Sequence, residues 1–258
     1  MTTRHFSNAA CTATAMDRGA TITSWHPRHA HEALFVTGDA NPDAEFHGGI
    51  PICAPWFSQG RGVAPVSHPH GLVRWVDWQF EGARQLGEVT RAAWTLRPDA
   101  YAHLAHADQY PADLRYRYEA TFGRELEVTL SIESPSEEVI VDDALHTYFL
   151  VNAVSTASVH GVGERPITVA GHYDEIHLDA AGGPITIEMP DRLLVLEARG
   201  ASDVVVWNPG PKLAEELPDF AGSDWPRMLC VEVGNVTRNA VTIAPGGTHH
   251  LGFRLRFG

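Results

Sequence analysis

The chain has 258 residues, 44% of them apolar, and a formal net charge of −13 at pH 7 with neutral histidines. The apolar content is ordinary for a globular protein with a large core. The negative charge argues against a nucleic-acid partner, because binding a phosphate backbone needs basic patches. Nor does any apolar run approach the roughly 18 residues of a membrane-spanning helix.

Further compositional features indicate one reduced, cytoplasmic domain. The three cysteines, Cys11, Cys53 and Cys230, are widely spaced and odd in number. They predict buried thiols rather than a disulfide framework or a zinc site. The N-terminus MTTRHFSNAACTATAMDRG lacks the long apolar centre of a signal peptide. No repeat or flexible linker divides the chain, so we expect a single domain over residues 1–258.

The first third of the chain alternates between short strands and one unusual loop. GATITSW (Gly19–Trp25) and ALFVT (Ala33–Thr37) are predicted strands. FHGGIPICAPWFSQGRG (Phe46–Gly62) is dense in glycine, proline and aromatic residues, which favours a loop with unusual backbone angles close to a ligand. The alternative for this segment is a tight corner beneath an aromatic plug.

The remainder of the chain reads as a succession of strands. RYRYEATF is expected to pair with ELEVTLSIE across Gly123-Arg124, because Leu126, Val128, Leu130 and Ile132 alternate with polar residues. Other strands are predicted at WVDWQFE, VTRAAWTL, EEVIVDDALHTYFLV, ITVAG, EIHLD, ITIEM, LLVLEA, DVVVWN, VTIAP and HHLGFRLRF. LAEELPDF is expected to form a short helix that Pro218 ends. Many short strands with few short helices predict an all-β protein built as a large antiparallel sandwich.

The segment MLCVEVGNV (Met228–Val236) contains the residue that most needs an explanation. Leu229, Val231 and Val233 would point to one side of this strand, and Glu232 would point to the other with its methionine and cysteine neighbours. A carboxylate in such surroundings is costly unless it is paired or used. Three other segments contain possible partners for Glu232. They are His70 in SHPHGLVRW, His146 in DDALHTYFLV and Asp174 in GHYDEIHLD.

A carboxylate with one or two imidazoles can move protons between two atoms of a substrate. This serves lyases, isomerases, hydrolases and sugar mutarotation alike, and a purely structural His–Glu pair is also open at this point. Five aromatic residues lie in or beside the segments that carry these polar residues: Trp56, Phe57, Trp75, Trp78 and Trp207. Aromatic faces suit sugar rings as well as protein cores. Asn208 and Lys212 are further hydrogen-bond donors for hydroxyl groups.

Six segments together resemble the hexose-6-phosphate mutarotase branch of the aldose 1-epimerase, or galactose mutarotase-like, superfamily. In chain order they are HGGIPICAPWF, PHGLVRWVDW, LHTYFLV, HYDEIHLD, VWNPGPKLAEELPDF and MLCVEVGNV. With the early strand from Gly19, the resemblance covers nearly the whole chain. It implies a β-supersandwich of two large twisted antiparallel sheets, with the sugar in a cleft on the concave face.

The resemblance also implies roles for individual residues. The family's base glutamate falls on Glu232, the histidine of its LHTYF motif on His146, and the histidine of its HG motif on His70. The arginine that closes that motif falls on Arg74, and Asp174 matches a position that contacts the sugar. The small-molecule partner implied is a sugar or sugar phosphate.

Two positions depart from the family pattern. The family usually has Arg-Gly-Gly-Ile-Pro where this chain begins the motif with His47, and that arginine is associated with the substrate phosphate. Arginine offers a fixed fork for phosphate oxygens, whereas a neutral histidine does not. The family also tends to have Asp-Arg where this chain has Asp174-Glu175. Arg61, in the following loop, is a candidate for the missing charge.

The expected reaction, as the resemblance implies, is cofactor-independent exchange of the anomers of a hexose, expected to be a hexose 6-phosphate, with Glu232 as base, His146 as acid and His70 on the ring oxygen. The expected substrate-binding residues are Arg74, Asp174, Trp207, His47 and Arg61. Two alternatives remain: a mutarotase for unphosphorylated or otherwise modified aldoses, and a sugar-binding protein without catalysis. We expect no metal, because no third ligand accompanies His68 and His70. The pair His249-His250 is expected to be exposed after its Gly-Gly turn.

Overall fold

The computed structural model describes residues 2–38, 46–60 and 68–258. Its strands are β1 Thr3–Ser7, β2 Cys11–Met16, β3 Ile22–Pro27, β4 Ile52–Cys53, β5 Gln79–Leu86, β6 Val89–Leu96, β7 Arg115–Phe122, β8 Leu126–Ser134, β9 Val139–Val141, β10 Asp143–Leu145, β11 Tyr148–Leu150, β12 Ser158–His160, β13 Ile167–Thr168, β14 Tyr173–His177, β15 Ile185–Glu188, β16 Leu193–Arg199, β17 Asp203–Asn208, β18 Met228–Asn235, β19 Val241–Ile243 and β20 Gly247–Phe257. The α-helices are α1 Pro98–Tyr101 and α2 Gly210–Glu216. Short 3₁₀ helices lie at Val73–Trp75, Ala107–Gln109, Val154–Thr156, Gly222–Arg227 and Thr237–Asn239.

Two large antiparallel sheets form the body of the protein. One has nine strands in the order β13-β12-β15-β16-β20-β8-β7-β6-β5. The other has six strands, with the order β14-β17-β18-β10-β4 and β11 also paired with β18. Apolar residues of both sheets, such as Leu130 and Phe253 of the first and Val206 and Val231 of the second, belong to one buried cluster. The all-β sandwich predicted from the sequence is therefore confirmed.

The hairpin β7–β8 shows how the sequence pattern specifies a register. Phe122 pairs with Leu126 next to the turn at Gly123-Arg124, as predicted. Every second residue of β8 is buried, and the residues between are half-exposed. A slip by one residue would move the whole apolar set to the solvent face, which makes this register the stable one.

Some predicted elements differ from the observed ones. The segment ALFVT forms only two isolated bridges, Leu34 with Phe149 and Val36 with Gly48, rather than a strand. WVDWQFE becomes a strand only from Gln79, because the chain first makes the 3₁₀ turn that contains Arg74. Helix α2 ends at Glu216, before Pro218, as the missing N–H of proline requires. Within the described ranges, no helix is both long and apolar enough to cross a membrane.

A buried polar cluster at the end of β18 corrects one expectation. His249 does not lie exposed after the Gly-Gly turn: its Nε2 is 2.9 Å from the Asp143 Oδ2, and its side chain is only 16% exposed. The other carboxylate oxygen of Asp143 accepts hydrogen bonds from the backbone and side-chain nitrogens of Asn235. His250 is exposed, with its Nδ1 2.9 Å from the Ser131 hydroxyl. This cluster holds β10 against β18, because a buried carboxylate needs such partners.

Candidate active site

The register of four strands brings several predicted site residues onto one face of the six-stranded sheet. Asp174 pairs with Trp207, which pairs in turn with Cys230, and Tyr148 also pairs with Cys230. Directly opposed residues in antiparallel strands share a face, and Glu232 shares that face with Cys230 by the two-residue period. The opposite face of β18 carries Leu229, Val231 and Val233 into the main core. The alternation predicted for MLCVEVGNV is therefore confirmed.

A cavity of about 160 Å³ lies over this face, and we call it the cleft. It is lined by His47, Phe57, Ser58, His70, Arg74, His146, Tyr148, Asp174, Val205, Trp207, Leu217 and Glu232. Seven of the eight residues that the sequence singles out for the site thus line one cleft. The eighth, Arg61, lies outside the described residues.

A carboxyl and an imidazole of the cleft, those of Glu232 and His146, are in contact. The Glu232 Oε1 lies 3.4 Å from the His146 Nε2, and both side chains are almost fully buried. Burial raises the pKa of Glu232 well above its ordinary value, the charge of Asp174 adds to this, and Arg74 opposes it. Burial also lowers the pKa of His146 well below its ordinary value, with His70 and Arg74 contributing. Both shifts favour the uncharged forms of the two groups, because burial disfavours charge.

Aromatic rings fix the orientation of His146. Its ring stacks on Tyr148 with centroids 4.8 Å apart and planes 11° apart. His70 and Trp207 meet the same ring edge-on, at 5.2 Å and 6.2 Å between centroids. A histidine held on three sides in this way keeps its Nε2 directed at Glu232, which is the condition for efficient proton transfer.

The tautomer of His70 follows from its backbone contacts. The Ser58 N–H donates a 3.3 Å hydrogen bond to the His70 Nδ1, and the His70 N–H donates to the Ser58 carbonyl at 2.8 Å. Burial, with the charge of Arg74, lowers the pKa of His70 to about 3, so the ring is neutral at pH 7. Since Nδ1 is the acceptor, the proton of the neutral ring is on Nε2. His70 thus has an N–H to offer a ligand.

Two glycines explain why the histidine motifs fold as they do. Gly71, with φ of +88°, follows His70, and a Cβ there would lie 2.0 Å from the Ala54 carbonyl oxygen. Gly49, with φ of +66°, would place a Cβ 2.1 Å from the Ile22 carbonyl oxygen. Only glycine fits both the backbone angle and the close approach. The unusual backbone predicted for the Phe46–Gly62 loop is confirmed over its described residues.

Arg74 and His47 also line the cleft. Arg74 is only 8% exposed, and its Nη2 donates a 3.1 Å hydrogen bond to the Phe46 carbonyl. The His47 Nδ1 lies 3.4 Å from the Tyr148 hydroxyl, and its ring meets Phe220 edge-on. Burial and the charge of Arg74 lower the pKa of His47 to about 4. His47 is therefore neutral at pH 7 and does not supply the charge of the family's arginine.

Several residues considered from the sequence lie elsewhere. Trp56 and Trp78 belong to the main core. The Asn208 side chain is fully buried and donates to the carbonyls of Trp225 and Met228, so it supports the backbone beside the cleft. His68 contacts Trp75 while His70 faces His146, so the two rings do not converge. No group of three metal-ligating side chains occurs in residues 2–38, 46–60 and 68–258.

Sequence reasoning missed some cleft residues that the structure reveals. Tyr148 is the most important of them, because it stacks on His146 and contacts His47. It lies two residues after His146, and the period of an extended strand could have placed both rings on one face. Val205 and Leu217 also line the cleft, but they carry no signal that distinguishes them from core residues.

With this geometry established, comparison with known proteins identifies the family. A family model described as aldose 1-epimerase matches residues 3–182, which is most of the chain. The chain belongs to the aldose 1-epimerase family, whose members are isomerases.

Individual relatives are similar to this chain at low identity. A candidate glucose-6-phosphate 1-epimerase of Escherichia coli K12 is 26% identical over 83% of this chain and 76% of its own length. One from Cenchrus ciliaris is 28% identical over 88% of this chain and 76% of its own length. The crystal structure of a candidate mutarotase from Salmonella typhimurium aligns with a TM-score of 0.88 at 20% identity, over 99% of this chain and 90% of that one. This likeness establishes the galactose mutarotase-like fold.

Proposed function

We propose that this protein interconverts the α and β anomers of a hexose 6-phosphate by opening and reclosing the sugar ring, without a cofactor. The observation that carries the proposal is the buried contact between the Glu232 Oε1 and the His146 Nε2, 3.4 Å long, inside the cleft. The names of the relatives support a 6-phosphate substrate, and Arg74 places a cation in the cleft for it.

The chemical steps balance with these residues alone. Glu232 takes the proton of the O1 hydroxyl as the C1–O1 bond becomes a carbonyl and the C1–O5 bond breaks. His146 delivers a proton to O5, and the Nε2–H of His70 donates a hydrogen bond to that oxygen. The aldehyde then rotates about the C1–C2 bond, and the ring closes on the other face with the two proton transfers reversed.

The altered pKa values of the pair suit this reversible reaction. Before ring opening the proton of the pair is on His146, and afterwards it is on Glu232. A raised carboxyl pKa makes Glu232 a stronger base, and a lowered imidazole pKa makes protonated His146 a stronger acid. Both shifts favour the transfer of the two protons that opens the ring.

The proposal is tested by anomer exchange in NMR spectra of glucose 6-phosphate, galactose 6-phosphate, glucose and galactose. We expect the protein to accelerate exchange of at least one phosphosugar more than that of its free sugar. Because each positioned acid or base contributes about 10²–10⁴-fold, the acceleration should stand well above the spontaneous rate. Failure to accelerate any of the four sugars would contradict the proposal.

A second candidate is a mutarotase for unphosphorylated hexoses. It is favoured by one observation, that the residue at the family's arginine position is the buried, neutral His47. Exchange of free sugars alone in the same NMR experiment would select it. A sugar-binding protein without catalysis has less support, because binding does not require the Glu232–His146 pair.

Replacing the carboxylate of Asp174 tests whether its charge raises the pKa of Glu232. Its charge raises the pKa of Glu232, and the base must be ionised to act, so activity is lost as the pH falls through that pKa. We expect Asp174→Asn to lower the pKa of Glu232 and to move the acidic limb of the kcat–pH profile to lower pH. Glu175→Gln is the matched control, because Glu175 points to the other face of β14 and hydrogen-bonds Tyr173. If the acidic limb does not move in Asp174→Asn, the charge of Asp174 does not raise the pKa of Glu232.

A further inference from the structure

A second, smaller cavity shares Arg74 with the cleft. Arg18, Thr21, Phe46 and Trp75 also line it. We propose that Arg18 and Arg74 together hold the phosphate of the substrate at this cavity. The inference rests on the proposed function, since it assigns a group of that enzyme's substrate.

The polar side chains around this cavity are all hydrogen-bond donors or hydroxyls. Two of the lining residues are arginines, and none is an aspartate or a glutamate. The buried Nε1–H of Trp75 has no hydrogen-bond partner among the described residues. The hydroxyl of Thr21, a buried residue, adds a group that can donate. A wall rich in donors and poor in acceptors selects an anion.

The charges of the two arginines are not balanced within the described part of the chain. Arg74 is 8% exposed, and its hydrogen bond goes to the neutral carbonyl of Phe46. Arg18 pairs through its backbone with Asp77, yet neither arginine forms an ion pair within 4.0 Å in the described ranges. A buried charge without a counter-charge is unfavourable. A bound phosphate removes this penalty.

The size of the cavity indicates how a phosphate would sit. Its volume of about 10 Å³ is the room of about one water molecule. There is room for one phosphate oxygen, and the phosphorus and the remaining oxygens would lie at the mouth, beside the lining residues Arg18 and Arg74. Arg18 is half-buried and lines the cavity.

This arrangement explains how the chain functions with histidine at position 47. His47 is neutral because burial and the nearby Arg74 lower its pKa to about 4. Arg18 comes from the turn after β2, far from the HGGIP motif in sequence, so a comparison of motifs alone does not find it. Arg18 is thus assigned as a specificity-determining residue for the phosphosugar.

The kinetic test compares wild type with Arg18→Gln on glucose 6-phosphate and on glucose. We expect kcat/KM for the phosphosugar to fall about 10- to 100-fold, which is the range for losing a hydrogen-bonded charged partner, and kcat/KM for glucose to stay unchanged. Arg84→Gln, on the exposed strand β5, is the matched control and should leave both values unchanged. An equal loss on both sugars, or no loss on either, would overturn the inference and leave the mutarotase function in place.

A binding test separates this inference from the function itself. Inorganic phosphate should raise the melting temperature of wild type, and Arg18→Gln should reduce that shift. Trp75→Phe, which removes the indole N–H and keeps most of the ring volume, should also weaken phosphate binding. If wild type binds phosphate through Arg18 but exchanges no anomers, the proposed function fails and the anion site stands. If phosphate does not bind to wild type, or binds equally to Arg18→Gln, the anion site is wrong.

Discussion

Replacing Glu232 by glutamine should lower kcat for anomer exchange by at least about 100-fold, the lower limit for loss of a positioned base. Glutamine has almost the same shape, so the cleft and the packing of β18 are retained. Its amide cannot accept a proton from the O1 hydroxyl at neutral pH. The measurement is anomer exchange by NMR with the sugar that wild type turns over fastest.

The stability of this variant provides an internal control. A carboxyl whose pKa is raised in the folded state, as that of Glu232 is, favours folding below its unfolded pKa, and this contribution is lost as the pH rises through the folded pKa. Glutamine carries no such dependence, so the melting temperature of Glu232→Gln at neutral pH should equal or exceed that of wild type. Glu164→Gln, at an exposed position, should change neither rate nor stability. A Glu232→Gln variant that retains wild-type turnover would exclude Glu232 as the base.

Much of the fold was predictable because its signals are local. Strand β8 alternates buried and half-exposed residues along its whole length, and β18 carries Glu232 on the face opposite Val231. Such alternation identifies both the strand and the face of each residue. The segment ALFVT is a strand in the prediction but not in the structure: Leu34 and Phe35 are buried in apolar clusters, and the backbone forms only isolated bridges.

The sequence predicts which residues line the candidate site, but it does not predict how their side chains are arranged. The motif resemblance assembled His70, His146 and Glu232, and the structure places all three around one cleft. The sequence does not reveal the Ser58 amide contact that determines the tautomer of His70, because it joins two residues twelve apart in the chain that both have positive φ. Nor does it reveal that Arg18 lies beside Arg74. Contacts between distant segments depend on the tertiary structure.

Replacing His146 by alanine should lower kcat by at least about 100-fold, because the proposed mechanism then lacks the acid that protonates the ring oxygen. The ring of His146 lies between Tyr148 and His70, so its removal leaves a gap next to Glu232. Water in that gap is a far weaker acid than an imidazolium. His5→Ala, on the exposed face of β1, is the control and should retain the wild-type rate.

Added imidazole distinguishes a catalytic role of His146 from a structural one. Free imidazole can enter the gap, stack on Tyr148 and approach Glu232, so it should restore part of the lost rate in His146→Ala. The same addition should not affect Glu232→Gln, whose His146 is intact. Because burial lowers the pKa of His146 in wild type, and free imidazole is less buried in the gap, the rescued reaction should persist to higher pH than the wild-type reaction. A His146→Ala variant with nearly wild-type exchange would move the acid role to His70, whose Nε2–H already faces the cleft.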